Sequence, residues 1–248
     1  MKFLVGLVIG AIIAAAIGAG AIAVALGEID EVDVANRDKS GDVSQTFELR
    51  DFDKIDVAGV YELEVTVGDD YSVVVSGPAQ EMERVQAKVE DGSLVLDQTK
   101  QQKRGIGVLH KEGVTAKVSL PALSELDVSG VVDGDVSGVD AEAFTVNLSG
   151  VGDVDIEGTC TDLTARVSGV GNLNARELEC KTARVNVSGV GDAKVHASES
   201  VDANISGMGD IDVYGSPAKV EKNDSMFSRI KCIDRGPRHL FGAIACAN

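Results

Sequence analysis

One short phrase recurs along the chain and constrains the fold more than any other feature. Ser149-Gly150-Val151-Gly152-Asp153 is followed by Ser168-Gly169-Val170-Gly171-Asn172, Ser188-Gly189-Val190-Gly191-Asp192 and Ser206-Gly207-Met208-Gly209-Asp210, with a partial copy at Ser129-Gly130-Val131. The five serines recur at a nearly constant step of about 20 residues, a period in the range of solenoid repeats. Alternating apolar runs flank each phrase: Leu163, Ala165 and Val167 before the second copy, Leu173 and Ala175 after it. Such alternation is the pattern of half-buried strands. A unit this small cannot bury its apolar side alone, but stacked units can, each rung covering the next at about 4.8 Å.

Among repeat architectures of this period, leucine-rich repeats need a leucine-dense consensus, and a propeller blade needs about 40 residues. Neither requirement is met. The prediction is therefore all-β: a single-stranded β-helix, or β-solenoid, with rungs of about 20 residues. Its narrow interior accounts for a chain of 248 residues with 28 glycines, six Phe, three Tyr and no Trp. Strand signals begin at Phe47, and the one short helical candidate runs from Ala79 to Ala87 after Pro78.

Several further stretches resemble a known family. Phe52-Asp53-Lys54-Ile55-Asp56-Val57, Gly59-Val60-Tyr61-Glu62-Leu63-Glu64-Val65, Val118-Ser119-Leu120-Pro121-Ala122-Leu123-Ser124-Glu125-Leu126 and Gly209-Asp210-Ile211-Asp212-Val213-Tyr214-Gly215-Ser216-Pro217 stand around the repeated phrases in an order similar to that of the bacterial GIN domain (DUF2807, the putative auto-transporter adhesin head domain). The resemblance covers roughly residues 47–222. It implies a β-helical extracytoplasmic domain, often preceded by a signal or anchor, and brings no catalytic residues with it.

The N-terminus points to the same compartment. Phe3 to Leu26 is a run of 24 residues without a charge, about 36 Å as a helix and enough to cross a hydrocarbon core of about 30 Å. An uncleaved signal anchor and a cleaved signal peptide are both open readings, since Ala21-Ile22-Ala23 and Ala23-Val24-Ala25 offer small-residue cleavage sites. Lys2 precedes the run and Glu28, Asp30, Glu31 and Asp33 follow it, so the N-terminus stays inside and the rest crosses. Gly6 and Gly10, with Gly18 and Gly20 paired to Ala14 and Ala16, give the small-residue spacing that lets helices pack closely. The expected organisation is 1–27 signal anchor or signal peptide, 28–46 linker, 47–222 β-helix domain and 223–248 C-terminal cap or tail.

Cys160 and Cys180 each lie eight residues before a repeat serine, so they share one position on consecutive rungs. Neighbouring strands fall within the Cα separation that a disulfide tolerates. In an oxidising compartment the expected bonds are Cys160 to Cys180 and, by elimination, Cys232 to Cys246. A zinc site is the weaker reading, because the cysteines lack close pairs and His110, His196 and His239 are far apart.

Asp153, Asp192 and Asp210 form a ladder that could serve calcium, which favours six to eight oxygens. Turn chemistry is the better account: Asp and Asn beside glycine bond their local backbone, and Asn172 interrupts the charge. Ser149, Ser168, Ser188 and Ser206 read as a hydroxyl ladder at the rung corner rather than as nucleophiles. A polysaccharide-cleaving solenoid would need basic groups gathered in a groove. The cluster Lys100, Lys103, Arg104, His110 and Lys111 reads instead as solvated loop charge, and the basic stretch Arg229, Lys231, Arg235, Arg238 and His239 leads into an apolar tail that caps the solenoid end or contacts another subunit.

Forty acidic residues against 23 basic ones give a formal charge of −17, which excludes nucleic acid as partner. The expected function is non-catalytic: a membrane-anchored extracytoplasmic structural or adhesive module of the cell envelope, with no cofactor. Its expected partners are the membrane through the N-terminal helix, further copies of the chain, and an envelope protein or glycan. The alternative is a calcium- or carbohydrate-binding surface protein, secreted if the signal is cleaved.

Overall fold

The computed structural model describes residues 42–98, 113–223, 226 and 228–233. Among these described residues, fifteen strands join in one continuous sheet that winds on itself. In chain order they are β1 (Asp42–Phe47), β2 (Lys54–Ala58), β3 (Val60–Val67), β4 (Ser72–Pro78), β5 (Val85–Glu90), β6 (Ser93–Gln98), β7 (Val114–Leu120), β8 (Glu125–Val128), β9 (Val131–Leu148), β10 (Val151–Val167), β11 (Val170–Val187), β12 (Ala193–Ile205), β13 (Gly209–Tyr214), β14 (Lys219–Asn223) and β15 (Ser228–Ile233).

From β8 onward every pairing is parallel and joins one rung to the next, as a solenoid requires. The long strands turn corners without losing their ladder. β10 pairs with β9 in three segments, 151–156, 158–160 and 162–167, with a register break between Ile156 and Gly158 where the chain bends. Inward residues then stack in columns. Val57, Val128, Leu148, Val167, Val187 and Ile205 lie in successive register, all buried, and belong to a single apolar core. Each such side chain contributes about 1.5–3 kcal/mol relative to exposure. Large rings are few: Phe52 packs on Tyr71 at 5.0 Å between ring centroids at the N-terminal end, and Phe144 and Tyr214 are buried on β9 and β13.

The N-terminal end departs from the simple stack. β2 and β3 form a first rung that pairs directly with β8 and β9, although β4 to β7 all intervene in sequence. The chain between is inserted and folds largely antiparallel: β4 pairs with β7 and with β1, and β5 with β6, while β6 and β7 continue the parallel ladder on β2 and β3. The first strand begins at Asp42, upstream of the expected start at Phe47, because its backbone pairs with β4 although its side chains show no apolar alternation. The helical candidate shrinks to the turn Ala79–Met82, since Val85 onward is drawn into the hairpin with β6. At the other end β15 pairs in register with β13, so residues expected in the tail form one more rung segment.

No helix among the described residues is long and apolar enough to cross a membrane. The expected transmembrane helix, with Gly6, Gly10, Gly18 and Gly20, lies outside the described residues, as do the Lys100 to Lys111 cluster and the tail after Ile233.

Candidate functional site: the Ser-Gly corner

The repeated phrase forms one edge of the solenoid, where each rung passes from one sheet face to the next. Its backbone is tied to the rung before it. The amides of Ser149, Ser168, Ser188 and Ser206 donate to Val128, Leu148, Val167 and Val187 carbonyls at 2.8, 2.8, 2.8 and 2.9 Å. The Ser149 hydroxyl donates to that same Val128 oxygen at 3.2 Å, and Ser129 does likewise to Val57 at 3.3 Å. The backbones of these serines are therefore part of the inter-rung ladder, and the Ser129 and Ser149 hydroxyls hold bonds that a nucleophile would have to give up.

The two glycines are demanded by the stacking distance. A Cβ placed on Gly169 would lie 1.8 Å from the Gly150 carbonyl oxygen, and one on Gly152 would lie 1.8 Å from that of Val132. Gly152 also has φ +140°, where L side chains are strained. The same conflict recurs up both columns, so the phrase needs glycine on either side of its central residue.

The Asp and Asn that close the phrase continue the ladder. Asp153 Oδ1 accepts from the Asn172 amide at 2.9 Å and its side-chain nitrogen at 2.7 Å; Asn172 Oδ1 accepts from the Asp192 amide at 3.1 Å; Asp192 Oδ1 accepts from the Asp210 amide at 2.8 Å. Lys231 then pairs with Asp210 at 3.0 Å. The Asp153 and Asp192 carboxylates thus accept from backbone donors on the next rung, 19 and 18 residues away, in place of the local backbone bond expected of a turn. Among the described residues no group of three or more His, Cys, Asp or Glu is arranged to hold a metal ion.

The central residue of the phrase is the part that sequence reasoning passed over. Val60, Val131, Val151, Val170, Val190 and Met208 point outward and are 44–55% exposed, one above another. Val60 belongs to a further copy of the corner, Ala58-Gly59-Val60-Tyr61-Glu62, in register with Ser129 to Asp133 across the insertion. The signal was present in the phrase itself: an apolar residue sits between the glycines every time, at a position the strand alternation turns to solvent. Beside part of this column an open groove of about 700 Å³ is bordered by Arg84, Asp97 and Gln98.

Cys160 and Cys180 meet as their spacing requires: they are in register on β10 and β11 and disulfide-bonded, with Cα atoms 4.5 Å apart. Cys232 is also disulfide-bonded, and its expected partner Cys246 lies outside the described residues. His196 pairs in register with Tyr214, while His110 and His239 lie outside the described residues.

Polar ladders also run along the outer faces. Asn147 donates to Asp127 at 2.6 Å and Arg166 to Asn147 at 3.2 Å, while Asn204 donates to Asn186 at 3.2 Å. At the N-terminal end Asp56 is held above the ordinary carboxylate range by partial burial and by the neighbouring charges of Asp127 and Asp97. Burial, then Asp97, pushes the Tyr61 phenol well above its usual range; its hydroxyl donates to the Asp97 carbonyl at 3.1 Å.

The profile of the family described as "Putative auto-transporter adhesin, head GIN domain" matches residues 51–217. A crystal structure of a putative adhesin from Bacteroides fragilis superposes with TM-score 0.65 at 25% identity, covering 77% of this chain and 97% of that one. A putative adhesin from Parabacteroides merdae gives TM-score 0.46 at 15% identity, covering 80% of this chain and 95% of that one. The chain matches no curated protein sequence. The profile spans two thirds of the chain and takes in the first rung, the insertion and the repeated corners together, so the chain belongs to the GIN-domain, adhesin-head family.

Proposed function

We propose that this protein is a non-catalytic adhesive or structural module of the bacterial cell envelope, held at the membrane by residues 3–26 with its β-solenoid on the outer side. The carrying observation is the surface of the solenoid. Side chains of one kind repeat on successive rungs, as apolar, acidic and amide columns, which suits contact with an extended partner. The corner serines and aspartates are engaged in holding rungs together, so the groups most suggestive of chemistry serve structure. The likeness to a putative adhesin from Bacteroides fragilis supports the same reading. The disulfide between Cys160 and Cys180 fits an oxidising, extracytoplasmic setting.

The test is attachment and location together. Beads coated with the full chain should be retained on bacterial envelope fractions several-fold above beads carrying heat-unfolded protein. In cells the solenoid should be cut by external protease after outer-layer permeabilisation and should stay with membranes in carbonate. Equal retention of folded and unfolded protein would contradict the adhesive role, and a protease-protected cytoplasmic chain would contradict the topology.

A further inference from the structure

The exposed column at the Ser-Gly corner is unusual for a protein so strongly charged. Six outward apolar side chains, Val60, Val131, Val151, Val170, Val190 and Met208, stand on consecutive rungs without a polar interruption. Five steps of about 4.8 Å make a ridge about 24 Å long. Val151, Val170, Val190 and Met208 have glycine on both sides, and Val60 and Val131 on one, so few neighbouring side chains cover the ridge and a partner's backbone can approach the sheet closely. Two residues further along each rung, about 6.6 Å away, runs a second outward column: Glu62, Asp133, Asp153, Asn172, Asp192 and Asp210. An apolar ridge thus lies beside an acidic one. Two cations near this surface are already paired, Arg84 with Glu81 and Lys231 with Asp210.

We infer that this double ridge is a docking surface for a basic amphipathic helix of another envelope protein, a partner class that rests on the interaction-module reading above. Charge selects the partner: a second copy of this chain would bring another −17, whereas a cationic segment gains from the acidic column. Geometry selects a helix. A strand laid along the solenoid axis repeats its side chains at about 6.6 Å, out of step with rungs at about 4.8 Å, while a helix repeats at about 5.4 Å per turn. About 16 helical residues span the ridge, and a helix about 10–12 Å across covers both columns, its apolar stripe on the valines and its lysines or arginines toward the acids.

The probe is a labelled helical peptide of about 18 residues, of leucine and lysine in amphipathic order, titrated against the full chain in mild non-ionic detergent. Controls are a scrambled peptide of the same composition and a leucine–glutamate peptide of the same order. The protein variants are Val151→Lys with Val170→Lys, and Ala143→Lys with Ala218→Lys as an exposed control pair away from the corner; circular dichroism and the Cys160–Cys180 link report folding. The ordered peptide should bind the native chain and the control pair alike, at least about tenfold more tightly than it binds the corner pair or than the scrambled peptide binds the native chain, and raised salt should weaken it. The glutamate peptide should not bind. Equal binding to native and corner-variant protein, or equal binding of the scrambled peptide, would overturn the proposal. So would self-association lost in the corner pair with no peptide bound, which would assign the ridge to a second copy. Bead retention without peptide binding would overturn this inference alone; peptide binding without bead retention would leave the ridge and remove the envelope-adhesion reading.

Discussion

The two ends of this solenoid are held together by different means. In the stack from β8 to β13 each rung repeats the one before, and its stability comes from register: glycine over carbonyl at the corner, amide to Asp or Asn, apolar column on apolar column. In the N-terminal region the first rung is separated from the second by the inserted strands β4 to β7, and antiparallel pairing with buried rings replaces repetition. A repeated region tolerates little change at its corner and much on its faces. The inserted region inverts this, with loops that accept change and a few large side chains that do not.

The sharpest way to break the comparison is to exchange glycines. Gly169→Ala puts a methyl 1.8 Å from the Gly150 oxygen and should force two rungs apart, costing more than about 4 kcal/mol or abolishing soluble folding. Gly68→Ala meets only Ser119 Oγ at 3.9 Å and should change stability by less than about 0.5 kcal/mol. Denaturant unfolding of both variants reads the difference; equal effects would mean that the corner is not close-packed. Next in size, Phe52→Ala removes a ring that is 2% exposed at the N-terminal end and should cost about 3–5 kcal/mol.

Removing the rung-to-rung disulfide with Cys160→Ala and Cys180→Ala should lower stability by about 3 kcal/mol, the loop-closure contribution for cysteines 20 residues apart. Non-reducing mass mapping of the native chain should join the two peptides, and free thiols at both positions would contradict the pairing. The smallest effect is electrostatic. The pKa of Asp56 is raised in the folded state by partial burial, Asp127 and Asp97, so its ionisation opposes folding. That penalty is absent below the unfolded carboxylate range and complete once pH exceeds the raised folded value. Asp56→Asn should therefore raise Tm by about 1–3 °C at neutral pH, softened by solvent screening, and leave it unchanged near pH 3. A stabilisation that persists in acid would point to a different cause.

The repeated region was legible because its constraints recur. Serine spacing set the expected rung length, and the eight-residue offset of Cys160 and Cys180 placed them in register. The bonding of Asp153 and Asp192 was not legible, because an Asp beside glycine suggests a local turn bond whereas the partner amides lie 19 and 18 residues further on. The inserted region was less legible because its order comes from pairing across sequence distance. β1 carries no apolar alternation, and only the edge of β4 makes it a strand. Val85 to Glu90 alternates strictly, but Met82 and Val85 also stand at helical spacing after Pro78, and only the pairing with β6 decides for the hairpin. The copy of the corner at Gly59-Val60 was hidden because the insertion breaks the period. The exposed apolar column was overlooked for a different reason: periodicity identifies what faces inward, and an outward valine looks like any other strand residue until its rung neighbours are known.

The central claim is that successive copies of the phrase stack in register one rung apart, and an engineered cross-link tests it most directly. Val151→Cys with Val170→Cys places thiols on directly paired residues, while Val131→Cys with Val170→Cys places them two rungs apart. Mild oxidation should join 151 to 170 nearly completely and leave 131 and 170 unlinked. Efficient linkage of 131 to 170, or none between 151 and 170 in folded protein, would contradict the stacked corner.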